Sequence, residues 1–408
     1  MVPGEYDNTR GWQQTLNGLP DNPSAVPATL AHKSRSLAYL LAGPTGYVVQ
    51  SRALDSGRLA WSSKPWNPPT PDGSTGDSDE ETEVPDLFTA TEDGREYVVA
   101  WGHGMTGKDE LHDGQEAVEL SVFPSGSSGE AITPERKITV PVGLGLGDEL
   151  EVRDGGQGVL ITWGNQAAAV NIHTGEVTPY KNADELLKQC GDNACVNSKV
   201  QALTSAGPVV GLDEEGFGVP GGWLSKDHQP KGAASGELLA ATDKHLLASW
   251  KGDDSDPVFA VHDPETGAIQ ARTTCTKDGY SQNNAYGLDY GDKAPTPPLS
   301  ASPNGRYLVA GAVAFDLKEK SGVCLTGDGD RKKLLVVSVR DDGTAYGGTV
   351  PEHADEEQAT AVAVSLASGR PKALGKGTQV PLVASRGAGV FLTGTESDGL
   401  AVAVVRER

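Results

Sequence analysis

No stretch of this chain reaches the ~18 consecutive apolar residues that a membrane-spanning helix requires, so no such helix is expected within it. The first thirty residues, "MVPGEYDNTRGWQQTLNGLPDNPSAVPATL", have neither a basic n-region nor an apolar h-region, and do not read as a signal peptide. Two histories fit: a cytoplasmic protein, or the mature part of an exported one with its leader removed and a starting Met supplied. Basic residues are scarce as well. Lys and Arg number 34 against 56 Asp and Glu, giving a net charge of −22. A chain that acidic repels phosphate backbones and anionic lipid, which argues against both as partners. Its charge otherwise speaks to solubility.

Catalytic and metal-binding signatures are equally sparse. No GxSxG elbow, HExxH or CxxCH is present. With no CxxC pair and no Cys–His cluster, zinc is not expected. "GHGMTGKD" from Gly102 falls one residue short of a P-loop, because Asp109 stands where Ser or Thr would hold Mg²⁺, and no helical pattern follows. "GLGLGDEL" from Gly143 lacks the third Gly of a dinucleotide fingerprint. The acidic stretches at Asp72, Lys251 and Thr326 lack EF-hand spacing and read as solvated turns. His103 and His112 share one segment without an evident third ligand.

What the chain does have is 52 Gly, 26 Pro and much Val, Ala and Thr, with only 6% aromatic residues. That is the composition of many short strands joined by tight turns. One polar corner recurs: "RALDSGRLAW" from Arg52, "AVNIHTGEVTP" from Ala169, "FAVHDPETGAIQAR" from Phe259, "AFDLKEKSGVCL" from Ala314 and "AVSLASGRPKAL" from Ala363. A short hairpin loop places one residue at positive φ, where only Gly avoids a Cβ clash. A second recurring element is a turn followed by a mostly apolar strand, anchored at Tyr47, Tyr97, Val159, Pro208, Leu246, Tyr307, Tyr346 and Val390. Successive anchors are 38 to 62 residues apart. A period near fifty with several strands per unit means a propeller or a related array. Each unit reads as four strands, the third ending at the corner. A single such sheet cannot bury both faces, and radial repetition supplies the neighbours.

The corners "RALDSGRLAW" and "VHDPETGAI" resemble those of PQQ-like, quinoprotein dehydrogenase-like propellers. "ASPNGRYLVAGA" from Ala301 is similar to the turn of WD40-like and TolB-like blades. The resemblance covers roughly residues 37 to 405 and is one of repeat architecture. It implies an exported propeller of the kind found as lipoproteins and sensor ectodomains in actinobacteria. The adjacent cysteines and Trp-rich floor of PQQ enzymes are not found, so no cofactor is expected.

Three segments interrupt the repeats. Residues 64–85 are Pro-rich and then acidic, and read as a mobile loop. "GHGMTGKDELHDGQ" from Gly102 reads as a long connection between second and third strands. "NADELLKQCG" from Asn182 reads as a helix, with Asn182 as its cap and Gly191 after its end. The four cysteines predict bridges Cys190–Cys195, across a short loop, and Cys275–Cys324, between neighbouring repeats. Disulfides imply an oxidising compartment. Trp101, Trp163 and Trp250 end the second strand in three repeats and are followed by His103, Asn165 and Lys251. They fit either an inter-blade core or an aromatic ring at a channel mouth that binds ligand; the second makes these six the candidate binding residues.

The expectation is therefore one all-β propeller over residues 1–408, built of four-stranded antiparallel blades, with eight fitting better than seven. Residues 1–36 form an arm that supplies the closing strand, and residues 37–408 the blades. Trp12 to Leu16 is expected beside Leu400 to Val405. Function is expected to be binding: an exported, monomeric, non-catalytic extracellular scaffold, with a possible lipid anchor upstream. It would take a protein, glycan or small molecule at a propeller face, without nucleic acid or metal. A quinoprotein-type oxidoreductase and a channel-based hydrolase or lyase are the alternatives.

Overall fold

Alternation decides the local structure. In Arg136–Pro141, Ile138 and Val140 are buried while Lys137, Thr139 and Pro141 are exposed, the period-two pattern of a strand with one face on a core. A computed structural model of the chain describes residues 1–20, 24–69, 83–107, 111–144, 149–187, 198–212, 216–252, 256–275, 299–327, 331–350, 359–394 and 400–408. Its strands form antiparallel meanders in which most strands pair with the one before them in sequence.

The first meander comprises Ala28–Ala31, Ser36–Gly43, Gly46–Ala53 and Leu59–Ser63. The second comprises Asp86–Glu92, Arg95–Thr106, Gln115–Pro124 and Arg136–Pro141. The third runs through residues 150–180, and the fourth, with three strands among the described residues, through 199–218. The fifth (233–274) and sixth (300–324) have four strands each and join into one eight-stranded sheet through a single parallel pairing, Arg272 with Ser321. The seventh spans residues 334–373. A terminal sheet takes Val383–Ser385, Ala388–Gly394 and Leu400–Glu407 from one end of the chain and Tyr6–Thr15 from the other.

Within residues 28–180, and again within residues 199–373, successive meanders pack face to face. Along Arg95–Thr106, Val98 and Ala100 pack with Leu40 and Trp61 of the first meander. Tyr97 and Val99, on the opposite face, pack with Val159 and Ile161 of the third. Val209 and Phe217 join Trp250 and Ala260, Phe259 and Val261 join Leu308 and Phe315, and Val309 and Ala314 join Val336 and Val364. A four-stranded meander that buries one face on its predecessor and the other on its successor is a propeller blade. The all-β propeller fold class is the one observed.

The chain divides into two compact units. One holds Met1–Gly11, Asp184–Leu392 and Val404–Arg408; the other holds Trp12–Ala183 and Thr393–Ala403. Both the N-terminal strand and Leu400–Glu407 pass from one unit into the other. Within the second unit Leu16 N–H donates to Leu400 O at 2.8 Å; within the first, Arg408 N–H donates to Glu5 O at 3.0 Å. The closing strand thus lies where the sequence places it, but begins six residues earlier, at Tyr6 rather than Trp12.

The recurring corner joins third and fourth strands, and its hydrogen bonds repeat. Gly267 N–H donates to Asp263 O at 2.8 Å, Gly175 N–H to Asn171 O at 2.7 Å, and Gly369 N–H to Ser365 O at 2.8 Å. Gly267 has φ of 72°, and a Cβ there would lie 2.6 Å from the Trp223 ring. The corner therefore needs Gly for conformation and for space.

Several expectations are corrected. The Gly-led strand at Gly46 is the third of its meander rather than the second, because Ala28–Ala31, inside the supposed arm, already forms the first. Residues 102–106 continue a strand: His103 pairs with Val118 and Thr106 with Gln115, so the hairpin projects beyond Asp86–Glu92. The helix expected from Asn182 is one 3₁₀ turn, Ala183–Glu185, as far as it is described. Of the loop expected at 64–85, residues 70–82 lie outside the described residues, and the described flanks are held in place. Trp66 exchanges backbone hydrogen bonds with Tyr47 at 2.8 Å, and Val84 N–H donates to Ser24 Oγ at 3.1 Å. Cys275 and Cys324 are bridged, with Cα atoms 5.7 Å apart. Cys190 and Cys195 lie outside the described residues.

Candidate functional site

Four of the six residues singled out by sequence lie on the second and third meanders: Trp101 and His103 within the strand Arg95–Thr106, Trp163 at the end of the third meander's second strand and Asn165 in the turn after it. Antiparallel pairing puts opposed residues on one face of the sheet. Asp86 is opposite Trp101, Trp101 opposite Leu120, and His103 opposite Val118. The row that carries Trp101 and His103 is therefore the row that packs on the third meander. There Trp163, 6% exposed, enters the same core, with Trp101, Leu144 and Leu150 around it. Both indole Nε1 atoms are closed off from solvent and have no hydrogen-bond partner among the described residues. A buried donor without an acceptor is costly, so each marks a place where an acceptor would be stabilising.

Charge gathers on the rim above this core. His103 Nε2 is 3.3 Å from Glu116 Oε1, and His103 Nδ1 is 3.7 Å from Glu83 Oε2. The imidazole is thus held between Glu116 of its own hairpin and Glu83 of the segment that leads into Asp86–Glu92. Asp86 is half-buried, and loss of solvation pushes its carboxyl up to about 7, although Leu87 N–H donates to Oδ1 at 2.7 Å and opposes the shift. On the other face of the hairpin, Trp66 Nε1 donates to Glu119 Oε1 at 2.5 Å, and Pro68 packs where a Cβ on Gly102 would stand. A carboxyl poised near neutrality can accept or donate a proton, and the rim groups can hydrogen-bond a polar ligand.

The other candidates are placed differently. Trp250 is 1% exposed in the core between fourth and fifth meanders. Its Nε1 donates to His262 Nε2 at 3.3 Å, and His262 Nδ1 lies 2.8 Å from Gly267 O, so the ring is neutral with its proton on Nδ1. Burial lowers this imidazole to about 4. A Cβ on Gly236 would strike the Trp250 ring at 2.6 Å, so this Trp is a packing residue. Asn165 and Lys251 are exposed, and Asn165 O accepts from Ala183 N–H at 3.2 Å. His112 lies in the connection between Arg95–Thr106 and Gln115–Pro124. Among the described residues no group of three or more His, Cys, Asp or Glu side chains could hold a metal.

Sequence reasoning missed Glu83, Asp86, Glu116 and Trp66. Pairing the hairpin Gly102–Glu119 with Trp101 on Leu120 would have found Glu116, two residues from Val118 on the same face. Glu83 and Asp86 border an acidic stretch whose composition hides them.

The chain matches no protein-family model, and no curated protein sequence matches it. Among solved structures it is similar to the WD40 domain of SCAP from fission yeast, at 10% identity and a TM-score of 0.42, over 98% of this chain and 99% of that one. It is also similar to the WD40 domain of Neurospora crassa Pan2, at 11% identity and 0.38, over 99% and 98%. The WD40 domain of Toxoplasma gondii coronin matches at 9% identity and 0.38, over 97% and 85%. Superpositions this loose carry no argument; the fold assignment rests on the strand order and face-to-face packing above.

Proposed function

We propose that this chain is an exported binding scaffold, an eight-bladed propeller that takes a protein, glycan or small-molecule ligand at the rim of its second and third meanders. The observation that carries this reading is the projecting hairpin. Its base holds His103 between Glu83 and Glu116, over a core with two unpartnered indole donors. Much of the meanders' faces is taken up by packing, and strand ends and hairpins are places where ligands can be met. Export, as a lipoprotein or a sensor ectodomain, is supported by the Cys275–Cys324 bridge, since disulfides persist in oxidising compartments. The likeness of the corners to PQQ-like propellers belongs to the same reading, as does a monomeric state.

Asp86 favours one second reading, acid–base chemistry of the hydrolase or lyase kind. A half-buried carboxyl near neutrality is the kind of group such reactions use as acid or base. A panel of soluble polysaccharides and peptides, tested by thermal shift and by product analysis, separates the two. A scaffold shows ligand-induced stabilisation without product, weakened in H103A and E116Q. Product that disappears in H103A and D86N would establish the second reading. Ligand binding unchanged in H103A and E116Q would remove the site.

A further inference from the structure

The connection between the third and fourth strands of the second meander does not return directly. After Pro124 it leaves its own sheet, and Gly129–Ile132 lies parallel to Leu59–Ser63, the outer strand of the first meander. Few bonds hold this excursion. Trp61 pairs with Gly129 and Ser63 with Ile132, Lys64 N–H donates to Ile132 O at 2.9 Å, and Trp61 Nε1 donates to Ser125 O at 3.2 Å. Beside it lies a groove of about 510 Å³, within the range of small-molecule sites, with Leu41, Val48 and Leu59 as apolar walls and Gln50 and Glu130 among its polar groups.

Two features of the groove are unexplained by folding. Ala131, which also lines it, has φ of 55°, a conformation that a residue with a Cβ adopts only under constraint. Glu130, its neighbour, is exposed and forms no hydrogen bond or ion pair through its carboxylate among the described residues. Arg52, on the first meander, is already engaged: its Nε donates to the Tyr39 hydroxyl at 2.6 Å and Nη1 to Gly57 O at 2.8 Å. The fold thus bends a strained turn to hold an unneutralised carboxylate at the mouth of an apolar groove.

We propose that this groove binds a small amphipathic cation, with its apolar tail along Leu41, Val48 and Leu59 and its ammonium group on Glu130. The site is separate from the rim at His103 and does not rest on the function proposed for it. Hydrocarbon supplies the non-directional part of the attraction, and the carboxylate supplies the sign of the charge that is accepted.

Titration of the full chain with hexylammonium, hexanesulfonate and hexanol, followed by amide and methyl NMR, tests this. Hexylammonium should give saturable shifts at Leu41, Val48 and Leu59, weakened about five-fold in E130Q, the loss of one exposed charge contact. Charge reversal in E130K should transfer the preference to hexanesulfonate. Each variant lies on the surface, and its spectrum away from the groove reports that it folds. Absence of saturable shifts at those residues would overturn the proposal. So would equal binding of the three probes, or E130Q binding hexylammonium as tightly as the parent chain.

Discussion

Two buried titratable groups act on stability in opposite directions. His262 is neutral in the fold and lowered to about 4 against an ordinary value of 6.5. Between these values the unfolded chain takes up a proton that the folded chain refuses. Its contribution is therefore complete above pH 6.5 and is lost as pH falls toward 4, by about 3 kcal/mol at ~1.4 kcal/mol per unit. Melting curves from pH 7 to 4 should show this decline, and H262Q should show much less of it. Asp86 works the other way. Its carboxyl is raised from 3.8 to about 7, so the folded chain keeps a proton that the unfolded chain has released, and stability falls as pH rises across that interval. D86N keeps the acceptor for Leu87 N–H and removes the charge. It should melt above the parent chain at pH 8 and alongside it at pH 4. An equal melting temperature at pH 8 would mean that Asp86 is solvated and carries no functional tension.

The legible elements were those whose cause is local. The corners were readable because Gly175, Gly267 and Gly369 each close the turn by donating to the main-chain carbonyl four residues earlier, at a positive φ that favours Gly. The pairing of Cys275 with Cys324 was readable because it follows from neighbouring repeats. What failed depended on pairing at a distance. Ala28–Ala31 is only four residues long and identifies itself as a strand only beside Ser36–Gly43. Gly102 and Gly104 suggested a loop because the sequence shows their composition, not the strand opposite; Pro68 over Gly102 is the reason a Gly is needed there. At the site, the Trp positions were legible and their meaning was not: equivalent sequence positions put Trp250 on a histidine acceptor and leave Trp101 and Trp163 without a partner. The bridge between fifth and sixth meanders closes a sequence separation of 49 residues. Replacing both cysteines by Ser should cost about 4 kcal/mol by the loop-entropy estimate, checked by denaturant unfolding of the double variant.

At the scale of the molecule, one sheet joins the two ends of the chain. Tyr6–Thr15 completes the terminal sheet beside Leu400–Glu407. Its side chains are anchored as well as its backbone. Tyr6 is 1% exposed, meets Phe391 edge-on with centroids 5.3 Å apart, and lies 6.1 Å from Tyr346. Trp12 Nε1 donates to Leu54 O at 3.1 Å. Without this strand Leu400–Glu407 would present an unpaired apolar edge, the kind that invites aggregation. Y6A alone should cost ~3–5 kcal/mol as a large-to-small core substitution. The most direct measurement is thermal unfolding of the chain lacking residues 1–20 beside the full chain. The propeller account predicts a much lower melting temperature and aggregation on heating. Equal melting of the two would show that the terminal sheet does not depend on the N-terminal strand, and would contradict it.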